Sequence, residues 1–165
     1  MNLKIKLLAK GCSVNEWKGL RRGKPFPSKY YLDWRSGIFT QISAPKVRKA
    51  IKAFRSQYSA ENHVLGVQIT HHLPVDKLFT TRGTINLKSK DLSNLEKPLI
   101  DLFCDKRFDG RKCDKGRIIN NLCIDDAVIL NLNSLKRPDK DYGISITFYL
   151  FDLIDILGGG LLCLK

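Results

Sequence analysis

The first half of the chain has almost no acidic residues. Residues 1–58 contain only Glu16 and Asp33 against fourteen lysines and arginines, a net charge of +12. Residues 59–165 are close to neutral, and the whole chain of 165 residues has a net charge of +13. A basic half joined to a near-neutral half indicates a polyanionic partner such as nucleic acid. A basic surface that is simply solvated is the alternative.

Long apolar runs are also lacking. No stretch reaches the roughly 18 residues that cross a bilayer. Lys4, Lys6 and Lys10 interrupt the apolar N-terminal segment, which therefore lacks the continuous core of a signal peptide. The sequence accordingly predicts a cytoplasmic protein with no membrane partner. Hydrophobic residues make up 43% of the chain, which is enough for the core of one domain and excludes a disordered class.

The sequence also lacks the residue spacings of a zinc site, and its number of cysteines is odd. The chain has five cysteines and three histidines, and no pair of them has a CxxC or HxxxH spacing: Cys12, Cys104, Cys113, Cys123, Cys163, His63, His71 and His72. An odd cysteine count without a secretion signal favours reduced thiols over disulfides. We expect small buried or surface thiols rather than a metal site at these positions.

Hydrophobic periodicity predicts an α/β fold of the α+β type, in the order β-α-α-β-β-α-β-β. Strands are predicted near 3–7, 66–73, 85–87, 128–133 and 144–150, and helices over 29–42, from 45 and from 93. Segments 11–27 and 104–123 are typical of loops. We expect a single compact domain, a mixed sheet flanked by helices, over 1–150, followed by an apolar C-terminal extension over 151–165.

Local signals mark the ends of these elements. Ser28 is a candidate N-cap, and Pro45 suits the first turn of a helix. Ser93 and Glu96 match a capping box, which predicts Ser93 as the N-cap of the third helix. The run Arg137-Pro138-Asp139 predicts a turn.

Carboxylates are concentrated at two element ends in the second half of the chain. Asp91 and Asp101 flank Lys97 at a predicted strand-to-helix junction, and Asp125-Asp126 precedes a predicted strand. Mg²⁺ takes one or two carboxylates together with water and substrate phosphate. A neighbouring lysine suggests phosphodiester cleavage, in which a metal activates water and the lysine stabilises developing charge. The alternative is that these aspartates only cap turns.

The acidic pattern resembles that of the RusA family of Holliday-junction resolvases, which are compact phage and bacterial endonucleases. The family pattern is D-x-D-N-x-x-K-x-x-x-D, followed by D-D at a strand start and a lysine ten residues beyond the second of these aspartates. The matching residues are Asp91, Asn94, Lys97, Asp101, Asp125, Asp126 and Lys136. Ser13-Val14-Asn15 and segment 29–35 are similar to the family's N-terminal motifs, so the resemblance covers most of 1–150.

The resemblance implies a homodimer that nicks four-way DNA junctions with Mg²⁺ or Mn²⁺, in DNA recombination, repair or phage DNA processing, and has no small-molecule substrate. Asp91, Lys97 and Asp126 are the implied catalytic residues. The candidate metal ligands are Asp91, Asp126, Asp125 and Ser93, with Asn94, Asp101 and Lys136 in supporting positions. DNA-contacting candidates from the motifs and basic segments are Asn15, Arg21, Arg22, Lys24, Lys29, Arg35, Arg111 and Lys112.

Two features depart from the family pattern. Ser93 occupies the position of the second aspartate, and a serine oxygen lacks the charge that a hard metal prefers. This leaves open a junction-binding protein of the same fold with weak or no catalysis, and a basic RNA- or DNA-binding module whose aspartates are structural. The 104–123 segment is longer than expected of the family, and either DNA contact or disorder explains its charge. The 151–165 extension fits a dimer contact, a packed extension or a frayed end.

Overall fold

The structure is a computed structural model that describes residues 2–21, 24–86, 91–104, 122 and 124–156; the side chains of 17–26 lie outside the description. The strands are β1 (Asn2–Leu7), β2 (Lys18–Arg21), β3 (Lys24–Pro27), β4 (His63–Pro74), β5 (Ile129–Asp139) and β6 (Gly143–Asp152). The helices are α1 (Val14–Trp17), α2 (Lys29–Ile42), α3 (Pro45–Arg55), α4 (Val75–Leu78), α5 (Leu92–Phe103) and α6 (Leu153–Ile156). A 3₁₀ turn over Asp126–Val128 leads into β5.

The main sheet has four strands in the order β1-β6-β4-β5. Strand β4 pairs with β5 in parallel and with β6 in antiparallel register, and β1 pairs antiparallel with β6. The sheet is therefore mixed, which confirms the predicted fold class. The parallel pair requires a crossover, and α5 lies in that crossover.

One face of the sheet forms the core with the helices. In β1, Leu3, Ile5 and Leu7 are buried and alternate with exposed lysines. They join one hydrophobic cluster with the inward residues of β4 and β6 and with buried residues of α2, α3 and α5. Successive strand residues point to opposite faces, so Lys4 and Lys6 lie on the other face, which we call the outer face.

The helix boundaries follow local chemistry. Helix α2 spans the predicted 29–42, and the Ser28 side chain accepts a hydrogen bond from the Tyr31 backbone N–H at 3.1 Å. Helix α3 begins at Pro45, whose missing N–H would have no partner in a first turn. Both predictions are confirmed. The predicted Ser93 N-cap is wrong, because α5 begins at Leu92 and Asp91 occupies the N-cap position.

Other departures concern short or edge elements. The predicted loop 11–27 contains α1 and the β2–β3 hairpin, whose prolines are tolerated because each strand of a two-stranded sheet is an edge. The predicted turn at Arg137-Pro138-Asp139 is wrong, since these residues end β5, which is also an edge strand. The predicted strand near 85 is reduced to one bridge between Phe79 and Ile85, and residue 87 lies outside the described residues.

The C-terminal segment begins inside the sheet. Strand β6 continues to Asp152, and the Leu153 N–H at the start of α6 donates to the Asn62 carbonyl at 2.7 Å. Residues 157–165 of the predicted extension lie outside the described residues. In the part of the chain that is described, no helix combines the length and apolar character needed to cross a membrane. Cys12 and Cys104 are buried cysteines that form no disulfide, and the other three cysteines fall outside the description.

Candidate active site

A cleft of about 300 Å³ lies between α5 and β5. It combines three residue types that phosphodiester chemistry uses, namely carboxylates, an ammonium group and a hydroxyl. The lining residues are Ser93, Glu96, Lys97, Ile100, Asp126, Ile129 and Leu132. Of the site residues predicted from sequence, the structure thus brings Ser93, Lys97 and Asp126 to one place.

Helix α5 presents its polar face to the cleft because its apolar face packs in the core. Leu95, Leu99 and Leu102 are each less than 5% exposed. Residues 93, 96, 97 and 100 are three or four positions apart, so they share the face that lies next to β5. The same periodicity that builds the core therefore presents Ser93, Glu96 and Lys97 to the cleft.

Lys97 is positioned by an ion pair within α5. Its Nζ lies 3.1 Å from Asp101 Oδ1, one helical turn further along. Asp101 is more buried than Lys97, with 23% and 57% of the side chains exposed. Asp101 does not line the cleft. It holds the ammonium group from the side, which restricts the positions that Lys97 samples.

The two adjacent aspartates have different surroundings. Asp125 Oδ1 accepts a hydrogen bond from the Ala127 backbone N–H at 2.8 Å and so caps the 3₁₀ turn. Asp126 is the first residue of that turn and lines the cleft. The turn therefore directs one carboxylate to the backbone and the next to the cavity.

The pKa of the Cys104 thiol, at the end of α5, reflects both its burial and the negative charge of this region. Burial raises the pKa of its thiol far above the ordinary value, and the carboxylates of Asp126, Asp101 and Asp125 raise it further. Three of the predicted acidic residues are therefore close to the C-terminal end of α5. Cys104 itself stays protonated and is 2% exposed, so it is not a nucleophile.

The remaining predicted site residues lie outside the cleft lining. Asp91 is exposed directly before α5, and Asn94 is half-buried in the first turn. Lys136 is on the same face of β5 as Leu132 but four residues further on, a distance of ~13 Å along a strand. Its neighbour across the β4–β5 pair is His71.

The DNA-contacting candidates are only partly described. Asn15 lies in α1, which packs against α5, and Lys29 is the exposed first residue of α2. The Arg35 guanidinium carbon lies 5.1 Å from the centre of the Phe39 ring. Arg21 and Lys24 are paired across the β2–β3 hairpin, with side chains outside the description. Arg22, Arg111 and Lys112 are outside the described residues.

Glu96 is the cleft residue that sequence reasoning missed. Its position in the pattern S-x-x-E suggested only a capping box. In the structure it lines the cleft, half-buried, beside Lys97. The available signal was its spacing, because a residue three positions after Ser93 lies on the same face of the helix.

The cleft residues fit a hard divalent cation with few protein ligands. Within the described ranges, no group of three or more His, Cys, Asp or Glu side chains is arranged to hold a metal. The cleft does contain two carboxylates, Glu96 and Asp126, and the Ser93 hydroxyl. One or two carboxylates completed by water and substrate phosphate is the usual environment of Mg²⁺. These three residues are therefore the ones that would hold it.

His71 is a buried polar residue of β4 whose ring lies beside Gly11. It is 2% exposed, and neither ring nitrogen has a hydrogen-bond partner among the described residues. A Cβ added to Gly11 would lie 3.2 Å from its Nδ1, so only glycine leaves room for this ring without movement. Burial, together with the positive charges of Lys136 and His72, lowers the pKa of His71 from 6.5 to about 4.

We expect the fold to lose stability when the pH falls from about 6.5 to 4. Below 6.5 the unfolded chain takes up a proton at His71 that the folded chain does not bind until about 4, so protonation favours unfolding. By pH 4.5 this costs roughly 2–3 kcal/mol. Urea unfolding of the parent and of His71→Leu at pH 7 and pH 4.5 tests this. The variant should lose correspondingly less stability, and identical losses would remove His71 as the cause.

A comparison of the chain with protein-family models found no match, and a search of curated proteins found none either.

Proposed function

We propose that this protein is a metal-dependent endonuclease that nicks four-way DNA junctions, in DNA recombination, repair or phage DNA processing. The carrying observation is that Lys97 and Asp126, from separate segments of the chain, line one cleft with Glu96 and Ser93. The resemblance to the RusA pattern supports the same assignment. The net charge of +13 suits a DNA substrate.

Each cleft residue has a distinct role in phosphodiester hydrolysis. Asp126 and Glu96 would supply carboxylate oxygens for the metal, and Ser93 would supply a neutral oxygen. When bound, Mg²⁺ or Mn²⁺ would activate the attacking water and offset the charge of the phosphate. Asp91, which lies directly before α5 and does not line the cleft, stays a predicted ligand.

Lys97 acts on the charge that develops during the reaction. Water loses a proton to solvent as it forms a bond to phosphorus, and the bond from phosphorus to the leaving oxygen breaks. Negative charge builds on that oxygen until it takes up a proton from solvent. The ammonium group of Lys97 stabilises this charge in the transition state. Asp101 is a positioning residue, because it holds Lys97 through the 3.1 Å ion pair without lining the cleft.

A homodimer is part of the proposal. Two cleft sites related by a two-fold axis suit a junction whose opposed strands are also related by a two-fold axis. Each chain would then make one nick.

A second candidate is a junction-binding protein of the same fold without catalysis. Two observations favour it. Ser93 contributes no charge to the cleft, and the described residues contain no group of three His, Cys, Asp or Glu side chains that could hold a metal. In this case the basic surface would bind DNA and the cleft would hold metal too weakly for hydrolysis.

Nicking of a synthetic four-way junction across a Mg²⁺ titration separates these candidates. The nuclease nicks two opposed strands in Mg²⁺ and none in EDTA. The binding-only protein shifts the junction in a gel but leaves it intact at every Mg²⁺ concentration. A basic module would bind junction, duplex and RNA with similar affinity, which would reject both.

Ser93→Asp should accelerate nicking at low Mg²⁺. The change restores a carboxylate to the cleft, so less Mg²⁺ is needed to fill the site. Ser93 is not the N-cap of α5, so Ser93→Ala should not lose the ~1 kcal/mol that an N-cap contributes. Nicking rates against Mg²⁺ for the parent and both variants provide the measurement. Superimposable curves for the parent and Ser93→Asp would remove Ser93 from the ligand set.

A further inference from the structure

Helix α3 has one strongly basic face. Its sequence contains five lysines and arginines and no acidic residue. Ile51 and Phe54 are at most 1% exposed and bind α3 to the core, so the basic residues lie on the outward side. Four of these are exposed and the fifth, Arg55, is half-buried; the set, which we call the α3 row, is Lys46, Arg48, Lys49, Lys52 and Arg55.

The spacing of the α3 row, and its residues at the start of the helix, oppose the stability of α3. Lys46, Lys49 and Lys52 follow each other at three-residue spacing, and like charges at this spacing repel. Lys46 and Arg48 also lie at the start of α3, where the helix dipole disfavours cations. An arrangement that destabilises the isolated helix is useful where an external polyanion offsets the repulsion.

The location of the row connects it with the cleft. Helix α3 and the cleft are on the same, helix-covered side of the main sheet. The chain leaves α3 toward Tyr58, whose pKa is raised by burial and by the charge of Asp125. Tyr58, three residues beyond Arg55, is therefore within electrostatic range of Asp125, the neighbour of the cleft residue Asp126.

We propose that the α3 row binds the phosphate backbone of DNA that flanks the cleft. The choice of DNA rests on the proposed function. The rise of an α-helix places the row's cations ~4.5 Å apart along about three turns, so several can contact one backbone segment. A membrane surface fits less well, because the apolar face that would enter a bilayer is already buried in the core.

Two triple variants of equal net charge test the proposal. Lys46→Gln, Lys49→Gln and Lys52→Gln neutralise the row. Lys4→Gln, Lys6→Gln and Arg137→Gln remove the same charge from exposed positions on the outer face, away from α3. Binding to a four-way junction is measured without divalent metal at several salt concentrations, so that nicking does not contribute.

The row variant should bind roughly tenfold or more weakly at low salt, with a log–log salt slope less steep by about 3. The outer-face variant should change the slope by less than about 1. The melting temperature of the row variant should equal or exceed the parent's, because the like-charge pairs are gone. Weaker binding and a shallower salt slope without loss of thermal stability would exclude a merely structural role for the row.

Equal slopes for the two variants, or a parent that binds no DNA without metal, would overturn the proposal. Tighter binding of the parent to anionic vesicles than to DNA would do the same. If the protein binds DNA through the row but never nicks it, this inference stands and the proposed function is rejected. If the parent nicks junctions but the row variant keeps full DNA affinity, only this inference is rejected.

Discussion

Asp126→Asn should lower the rate of junction nicking by roughly a thousandfold or more and leave junction binding unchanged or tighter. A metal held at the reacting phosphate contributes several kcal/mol of charge stabilisation, and each tenfold in rate corresponds to about 1.4 kcal/mol. Asp126 is one of two carboxylates that line the cleft, so the amide removes half of the proposed acidic ligands. Binding survives because the lost charge also repels phosphate. Single-turnover nicking and gel-shift titration measure the two effects.

Asp125→Asn is the matched control for this prediction. It changes the same side chain by the same charge one residue earlier, and asparagine retains the oxygen that accepts from the Ala127 N–H. We expect nicking within a few-fold of the parent. Equal losses in the two variants would mean that the 3₁₀ turn as a whole matters, and full activity of Asp126→Asn would place the site elsewhere.

Lys97→Ala should slow nicking by roughly 10²–10³-fold without changing the Mg²⁺ concentration that gives half-maximal rate. The reason is that the ammonium group would stabilise transition-state charge, whereas the proposed metal ligands are Glu96 and Asp126. Asp101→Asn should have a smaller effect in the same direction, since it loosens Lys97 but leaves its charge. Nicking rates measured over a Mg²⁺ titration distinguish a slower chemical step from weaker metal binding.

Lys77→Ala is a suitable control for Lys97. Lys77 is likewise an exposed lysine in an ion pair with an aspartate, Asp76, and it lies in α4 outside the cleft. Its removal should leave both the rate and the Mg²⁺ dependence unchanged. If Lys97→Ala instead raises the Mg²⁺ requirement, Lys97 acts on metal binding and the assigned role is wrong.

Much of the fold was predictable from local sequence. Helix α2 has the predicted bounds, because an apolar face and the Ser28 cap both act within a few residues. Strands β1 and β6 follow from strict alternation at a buried face. The β2–β3 hairpin was not predictable in the same way, since its glycine and prolines signal a loop and only pairing between the strands defines it.

The site was predictable in its parts but not in its arrangement. The residue pattern selected Lys97 and Asp126, but their meeting depends on how α5 packs against β5, which is a tertiary contact. The capping-box pattern led to the wrong N-cap at Ser93 and hid the orientation of Glu96. The backbone bond that separates the roles of Asp125 and Asp126 arises from a 3₁₀ turn, and an Asp-Asp pair does not specify such a turn.

Binding of Mn²⁺ to the protein alone, followed by electron paramagnetic resonance, tests most directly that the cleft is a metal site. We expect one tightly bound Mn²⁺ per chain for the parent and for Asp125→Asn. The double variant Glu96→Gln, Asp126→Asn should bind none at the same concentration, because it removes both carboxylates that line the cleft. Equal binding of Mn²⁺ by the parent and the double variant would contradict the account.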